Sequence, residues 1–447
     1  TVFRTYGDTA LNGEITVTAD GILDIWSSLD VSGSLTIAEG GKAEIQTLSD
    51  CDGAGTITNN GTLRVNSMVP GTVIGGSGQT TVNNMEGTAS DMETLRRLLD
   101  IAAADPKQSY TIRLKKAQES DTDFVLTGDV TIPRNVDLAN NADDAFDRIV
   151  VEEGANVTLT GSISAYSKEL LVRGTLHVMP SETVQDEDGK SFGVSGGRVE
   201  AERLEIAEAG TLHNENSVQI RGTTDEAAGL YGVTADGTLL NSGSIYCTGL
   251  RHGGYHEMTN NGYMEIGEEG ADNGVLLLSA SQDGTVISTG TIYVYGRMEM
   301  SGGKMSVENW MQCTNAVINA QLDIFGNVNI TDVLDIQNGS VYVDESGTLQ
   351  YGSCTAPEKI VRGEGGLYGD VNGDGVVDMA DLAALTRHVA RIELLTDLSR
   401  ADINGDGRIS AADVTALARM LTGTGDTEPE PGTDYQVQED TGVRKVS

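Results

Sequence analysis

A short phrase recurs along most of the chain: a few alternating residues rich in Val, Ile, Leu and Thr, followed by Gly, Asn, Asp or Ser. Examples from residue 13 to about residue 352 are "GEITVTADGILDI", "GTITNNGTLRV", "GTLLNSGSIYC" and "GTVISTGTIYVYG". Alternation with a period of two predicts strands buried on one side, and the Gly/Asn clusters predict tight turns. Such short strands cannot bury a sandwich core by themselves.

The phrase repeats with near-identical turns, which predicts stacked coils. The pair Gly-Thr begins at Gly55, Gly61, Gly174, Gly210, Gly237, Gly284, Gly290 and Gly347, and Asn-Asn-Gly begins at Asn59 and Asn260. Self-similar units of this kind stack so that each coil is hydrogen-bonded to the next. We therefore predict a mainly β protein built as a parallel β-solenoid, or β-helix. An antiparallel array of hairpins is the alternative, because Asn-Gly turns suit it as well.

One segment departs from this pattern and predicts a helix over about residues 90–104. Ser90 to Glu93 has the sequence of a capping box, and apolar residues then recur at helical spacing until Asp105-Pro106. An amphipathic helix can cover the open end of a solenoid, where unpaired strand edges invite aggregation. Residues 1–88 are therefore expected to be the end of a first solenoid block, and residues 89–352 a second block with this cap.

Charge excludes two classes of partner. The 447 residues carry a formal net charge of −38, which repels phosphate backbones and anionic lipid head groups. No run of about 18 apolar residues occurs, so we expect neither a nucleic-acid nor a membrane partner. Because Thr1 already belongs to a strand-like pattern without a basic and apolar leader, we expect the chain to be a mature polypeptide or a fragment.

The cysteines carry no metal or redox signature, because they are widely spaced and form no CxxC pair. We expect isolated, small core residues, and a disulfide between neighbouring coils is the alternative. The four positions are Cys51, Cys247, Cys313 and Cys354.

The solenoid region resembles the right-handed parallel β-helices of secreted bacterial adhesins and polysaccharide-active enzymes, at the level of fold alone. Enzymes of that type need clustered carboxylates to protonate a leaving group and activate water. Asp143-Asp144 is the most suggestive pair, but we interpret it as a solvated loop. The sequence therefore predicts no catalytic residue.

Aromatic residues indicate a candidate glycan surface. Tyr246, Tyr263 and Tyr293 would form a row if they align on one outer face of consecutive coils. The stretch "RHGGYHE" adds Arg251 as a hydrogen-bond fork and Tyr255 as a stacking platform. Its two histidines are four residues apart, but Gly-Gly between them argues against a helical metal site, and a plain surface turn is the alternative.

Near the end of the chain the pattern changes to two acidic loops at an offset of 32 residues. Calcium takes six to eight oxygen ligands, and glycine at the sixth loop position permits the sharp turn that this requires. We predict two calcium ions. The predicted ligands are Asp370, Asn372, Asp374, Val376 (carbonyl), Asp378 and Asp381 in the first loop and Asp402, Asn404, Asp406, Arg408 (carbonyl), Ser410 and Asp413 in the second.

Each loop is followed by an amphipathic helix, and the Gly-rich stretch before the first loop leaves no room for an entering helix. Two copies of D-x-N-x-D-G-x5-D, each followed by one helix, resemble the dockerin domain of cellulosome-type assemblies over residues 366–423. The resemblance implies calcium-dependent docking to a cohesin module of a scaffold protein. The residues it places at that contact are Met379, Ala380, Arg387, Ala411, Ala412 and Arg419.

The remaining segments are expected to be a linker, residues 353–365, and an acidic, disordered tail, residues 424–447. The resulting hypothesis is a secreted or cell-surface component of a polysaccharide-degrading system, with a dockerin for a cohesin and a solenoid that binds polysaccharide or a surface partner. One alternative is a β-helix glycoside hydrolase or polysaccharide lyase. A second is an adhesin-like structural stalk.

Overall fold

The computed structural model describes residues 1–49, 53–185, 190–253, 256–279, 285–362, 369, 371–372, 377–392, 395, 401, 403 and 409–422. Strands make up 53% of the chain, in long all-parallel sheets. Contacts divide the chain into two units, Thr1–Thr223 with Gly243–Ile245, and Thr224–Ser242 with Tyr246–Ser447.

The described part of the first unit contains strands of 2 to 11 residues and one helix, α1 (Met92–Ala104). Its strands are β1 (Val2–Thr5), β2 (Thr9–Leu11), β3 (Glu14–Val17), β4 (Ile22–Val31), β5 (Ser34–Ile37), β6 (Lys42–Ser49), β7 (Thr56–Asn59), β8 (Thr62–Met68), β9 (Ile74–Gly75), β10 (Gln79–Ala89), β11 (Tyr110–Leu114), β12 (Asp123–Leu126), β13 (Asp129–Ile132), β14 (Val136–Ala139), β15 (Arg148–Val151), β16 (Asn156–Leu159), β17 (Ser162–Val172), β18 (Thr175–Val178), β19 (Glu182–Gln185), β20 (Ser191–Val194), β21 (Arg198–Ile206), β22 (Thr211–Asn214) and β23 (Ser217–Ile220).

The second unit continues with strands and ends with two helices, α2 (Met379–Val389) and α3 (Ala411–Thr422), after a short 3-10 helix (Pro357–Lys359). Its strands are β24 (Val233–Ala235), β25 (Thr238–Asn241), β26 (Ser244–Cys247, which spans the division), β27 (Gly249–His252), β28 (Met258–Asn260), β29 (Tyr263–Ile266), β30 (Gly274–Leu278), β31 (Thr285–Ser288), β32 (Thr291–Met300), β33 (Lys304–Val307), β34 (Trp310–Ile318), β35 (Gln321–Ile324), β36 (Asn327–Ile336), β37 (Ser340–Val343), β38 (Thr348–Cys354) and β39 (Ile360–Arg362).

Strand pairing within each unit is parallel, which confirms the solenoid prediction over the antiparallel alternative. In the first unit one ladder runs β1–β4–β6–β8–β10–β11–β14–β17–β21–β23. In the second unit one ladder runs β24–β27–β30–β32–β34–β36–β38, and another runs β25–β28–β31–β33–β35–β37–β39. Only β19 and β20 form an antiparallel hairpin among the strand pairs described here.

The core consists of apolar rows, because equivalent positions of successive coils stack at the strand spacing of about 4.8 Å. In the first unit Leu23, Ala43 and Leu63 form one such row and are each at most 2% exposed. In the second unit the row formed by Ile292, Met311 and Val328 is buried in the same way. Period-two alternation in the sequence therefore encodes an interior that repeats from coil to coil.

The recurrent glycines and asparagines occupy corners where coils approach closely. A Cβ on Gly61 would lie 2.3 Å from the carbonyl oxygen of Gly41, so a larger residue would not fit without a shift of the backbone. Asn241 Nδ2 donates to Asn260 Oδ1 at 2.7 Å, and Asn260 Nδ2 donates to Ser288 Oγ at 3.2 Å. These buried amides bond from one coil to the next and stabilise the corner.

Helix α1 begins two residues after the predicted start and ends at the predicted residue. Its N-cap is Asp91, whose carboxylate accepts the backbone N–H of Thr94 at 2.8 Å, and not the predicted Ser90. Strand β10 runs through Ala89, so the chain leaves the extended conformation only after Ser90. Arg96 Nη1 donates to the carbonyl oxygen of Asp129, the first residue of β13, at 2.9 Å.

The ladder is unbroken at the predicted boundary between residues 88 and 89, because β10 pairs with both β8 and β11. The second sheet of the unit is divided instead: β3, β5, β7 and β9 form one part, and the other begins at β13. Helix α1 contacts β10, β11 and β13, the first strand of that other part.

The two C-terminal helices pack around a small core of their own. Its buried members come from both helices and from the segments before them: Val371, Leu382, Leu385, Ala401, Val414, Leu417 and Ala418. These helices and this core lie where the sequence predicts an all-α module.

Candidate functional site

The twelfth position of the first predicted calcium loop is a buried carboxylate in the first turn of α2. Asp381 is 0% exposed. Its Oδ1 accepts the backbone N–H of Asn372 at 3.0 Å, and its Oδ2 accepts that of Asp378 at 2.9 Å. Asp378 in turn caps α2 by accepting the N–H of Ala380 at 2.6 Å. The loop and the helix are thus joined through one carboxylate.

The second loop repeats this arrangement 32 residues later. Asp413, in the first turn of α3, is also 0% exposed. Its Oδ2 accepts the backbone N–H of Ser410 at 2.8 Å and lies 3.4 Å from the Ser410 hydroxyl. Ser410 Oγ accepts the N–H of Ala412 at 3.1 Å, as Asp378 does in the first copy.

Backbone N–H donors orient both carboxylates. A buried carboxylate is costly unless a cation or a further set of hydrogen bonds compensates it. Oxygen ligands on such loops are the donor set that Ca²⁺ prefers. The described residues therefore fit a calcium site in each copy. The other predicted ligands lie outside the described residues: Asp370, Asp374, Val376, Asp402, Asn404, Asp406 and Arg408.

The six residues predicted to meet a partner lie on α2 and α3. Met379 and Ala380, like Ala411 and Ala412, are exposed in the first turns of their helices. Arg387 is exposed, and its counterpart Arg419 is half-buried. Small or flexible apolar side chains next to an arginine give a surface that a partner can approach closely and bind through a charged fork.

The predicted tyrosine row is present in the second unit, and it is one residue longer than predicted. Ring centroids of Tyr246 and Tyr263 are 5.8 Å apart, those of Tyr263 and Tyr293 are 5.9 Å apart, and Tyr295 follows at 6.1 Å. All four are half-buried. The Tyr263 hydroxyl donates to Glu265 Oε2 at 2.6 Å, and burial together with this carboxylate raises the pKa of Tyr263.

The "RHGGYHE" stretch does not join that row. Arg251 lies on β27, a different strand, where Nη1 contacts Asp236 Oδ1 at 3.2 Å. His252 is fully buried between the carbonyl oxygens of Ala235 and His256, and burial lowers its pKa. Because His252 lies on a strand and its ring is buried, this stretch does not form the helical two-histidine metal site. Tyr255 lies outside the described residues.

Of the acidic pair considered for catalysis, Asp143-Asp144, Asp144 has a structural partner. Asp144 is exposed and pairs with Lys115 at 2.6 Å, and the hydrogen bond from Lys115 lowers the pKa of Asp144. The Asp144 carboxylate is thereby held in its ionised form, which suits a structural role better than that of a proton donor.

Sequence reasoning missed an aromatic pair in the first unit, Tyr6 and Trp26. They are 71% and 62% exposed, and their ring centroids lie 6.1 Å apart. The pKa of Asp24 is lowered, mainly by a hydrogen bond from Trp26. A groove of about 310 Å³ beside Trp26 is lined by amide and charged side chains from successive coils: Asp24, Glu44, Gln46, Arg64, Asn66 and Asn83.

The sequence alone does not show that Tyr6 and Trp26 are neighbours, because this requires the register between their strands. Trp26 directly follows Ile25, which pairs with Thr5 of β1, so that Trp26 lies beside Tyr6. The scarcity of Trp in the chain was the available signal.

The family model for the dockerin type I domain matches residues 368–422. The comparison with curated proteins and the comparison with solved structures each found no match. Among the described residues, no helix combines the length and apolar character needed to cross a membrane.

Proposed function

We propose that this chain is a secreted component of a cellulosome-type polysaccharide-degrading system, held on its scaffold by calcium-dependent docking of residues 368–422 to a cohesin. The observation that carries the proposal is the repeated buried carboxylate, Asp381 and Asp413, each oriented by backbone N–H groups at the start of a helix. The dockerin match covers both copies.

In this proposal two calcium ions complete the loops, with the twelve predicted ligands around them. Each ion would neutralise its buried aspartate and fix the start of its helix, so that the residues meeting the cohesin are held in place. Calcium would act on structure and not on a reaction. Cohesin binding would then require the ion even though no partner-contacting residue is itself a ligand.

The test is a calorimetric titration of the full chain with a type I cohesin module, in calcium and again with excess chelator. Binding in calcium that is lost on chelation and restored by added calcium supports the proposal. Binding that persists in chelator contradicts it. Absence of binding to a panel of type I cohesins in calcium would remove the cohesin assignment.

The solenoid's proposed role is to bind a polysaccharide. Two surfaces support this: the row Tyr246, Tyr263, Tyr293 and the exposed pair Tyr6 and Trp26. Exposed aromatic faces stack on sugar rings, and amides next to them can bond to hydroxyls. The pair has the greater exposed ring area, whereas the row presents half-buried rings tilted 48–49° to one another.

Retention of the full chain on insoluble plant polysaccharides, scored together with release of reducing ends, tests this role. Retention that falls in Trp26→Ala with Tyr6→Ala places binding on the pair, and a fall in Tyr263→Ala with Tyr293→Ala places it on the row. Release of reducing ends would favour the hydrolase or lyase alternative. Neither retention nor release, across the panel, would favour the structural stalk.

A further inference from the structure

We propose that His177, His213 and Glu215 form a binding site for a transition-metal dication of the zinc and copper class. Strands β18 and β22 pair in parallel with His177 directly opposite His213. Both histidines occupy outward positions of a strand whose alternate residues are buried. Glu215 directly follows β22, so that all three side chains meet on the outer face of neighbouring coils.

The ligand atoms already lie close to the spacing that a metal requires. His177 Nε2 is 3.2 Å from Glu215 Oε2, and His213 Nε2 is 3.4 Å from Glu215 Oε1. One ligand atom from each residue lies within 4.8 Å of the others. Tetrahedral zinc with bonds of about 2.0–2.1 Å separates its ligands by roughly 3.3–3.4 Å. Each nitrogen therefore lies at about this distance from one oxygen of the Glu215 carboxylate, the two oxygens being different.

The two imidazole rings are stacked, and a small rotation of the side chains would direct both Nε2 atoms at one metal ion. Their centroids are 4.4 Å apart and the ring planes differ by 9°. Both Nε2 atoms lie toward the same carboxylate. A metal bound there would bring the two nitrogens together by a turn about the side-chain torsions, with the backbone ladder unchanged. Register pairing supplies the pre-organisation that a lone pair of histidines lacks.

The donor set decides which ion fits. Two imidazole nitrogens and one carboxylate suit zinc or copper, whereas calcium prefers a shell of oxygens. The side chains of His177, His213 and Glu215 are 32%, 34% and 29% exposed, so a water molecule or an outside ligand can reach a fourth position. The site would therefore be chemically distinct from the C-terminal loops.

Binding must displace protons from the ligating nitrogens. Neutral imidazole carries one N–H, so coordination through Nε2 requires that this proton reside on Nδ1. An imidazolium would instead release a proton to solvent. Affinity should then fall as the pH is lowered, because protons compete with the metal for the same nitrogens.

The test uses the full chain in saturating calcium, so that the C-terminal loops are filled. Zn²⁺ titration by calorimetry should show one zinc equivalent that weakens at least tenfold in His177→Ala and in His213→Ala. Glu215→Gln should weaken it less, since the amide oxygen can still coordinate. His256→Ala is the matched control and should leave zinc binding unchanged, because this histidine lies outside the cluster.

A second readout does not depend on any variant. Cu²⁺ bound to the unaltered chain should give an electron paramagnetic resonance spectrum with coupling to two imidazole nitrogens. Circular dichroism would show that each variant keeps its strand content. The proposal is overturned if zinc binding is absent, if it survives in the double histidine variant, or if the copper spectrum shows no imidazole nitrogen. In any of these cases Glu215 serves only as a hydrogen-bond acceptor for the two rings.

Discussion

The solenoid and the C-terminal helical module are stabilised in opposite ways. In the solenoid each coil repeats the same backbone ladder and the same apolar rows, so that no single residue or ion is decisive. Among the described residues of the helical module, seven buried apolar side chains form the core, and the carboxylates of Asp381 and Asp413 are buried. Where stability is distributed over many equivalent contacts, the loss of one contact is tolerated. A small domain with buried charges depends instead on the groups that neutralise those charges.

The largest effect is expected from removing the two buried carboxylates of the helical module. Asp381→Ala together with Asp413→Ala removes the proposed ligand at position twelve of each loop, together with the carboxylate that accepts backbone N–H groups there. We expect loss of high-affinity calcium binding and of nearly all helical structure in α2 and α3, because structural metal binding and folding are coupled in such modules. Calorimetric titration with calcium measures the loss of binding, and nuclear magnetic resonance of the α2 and α3 amides measures the loss of helical structure.

Asp332→Ala is the matched control, because Asp332 is an exposed aspartate on β36 of the solenoid. It should change neither calcium binding nor the helix signals. If the double variant keeps both, the two buried carboxylates are not calcium ligands.

Truncating one fully buried leucine in each region compares how the solenoid and the helical module respond to the same loss. Leu35 in the solenoid and Leu417 in the helical module are each 0% exposed, and a change to alanine costs about 2–5 kcal/mol at such positions. A domain as small as the module rarely has more than about 3–5 kcal/mol of stability from its core. Leu417→Ala should therefore unfold the module in limiting calcium, while Leu35→Ala only lowers the solenoid's unfolding temperature.

Domain-resolved thermal unfolding, followed by strand and helix signals separately, distinguishes the two responses. Equal responses would mean that the two regions do not differ in the way their stability is distributed.

The smallest effect concerns docking. Because the two copies share their helix geometry, a cohesin could bind in either of two orientations, one using Arg387 and the other Arg419. Changing one arginine to alanine removes one orientation and should weaken binding only about twofold. Changing both removes a charged hydrogen bond of about 1.5–3 kcal/mol from either orientation, so affinity should fall roughly 10- to 100-fold. Titration with a cohesin decides between this and a single orientation, in which one arginine alone would abolish binding.

Local pattern was enough to predict the parallel solenoid, the extent of α1 and the two-copy C-terminal module. Period-two alternation and glycines at close corners predict stacked coils without specifying the register between their strands. The register itself was not predictable, because coil length varies. His177 is 19 residues beyond its partner Thr158 but 36 residues before its partner His213, since the β19–β20 hairpin is inserted between them.

Long strands were missed for a related reason. Strand β32 continues through a bulge between Val294 and Arg297 and reaches 10 residues, where the sequence pattern predicts only short strands. Tyr295 belongs to the tyrosine row because it lies two residues after Tyr293 on the same strand, and alternate residues of a strand share one face. Side chains that meet across coils, such as Tyr6 with Trp26, likewise depend on a register that alternation alone does not specify.

The most direct test of the difference between the two regions is amide hydrogen exchange of the full chain, with calcium and with excess chelator. The account predicts that chelation removes protection from the amides of α2 and α3 while protection in ladders such as β32–β34–β36 stays unchanged. If α2 and α3 stay equally protected without calcium, or if the solenoid strands lose protection together with them, the two regions are not stabilised independently and the account is wrong.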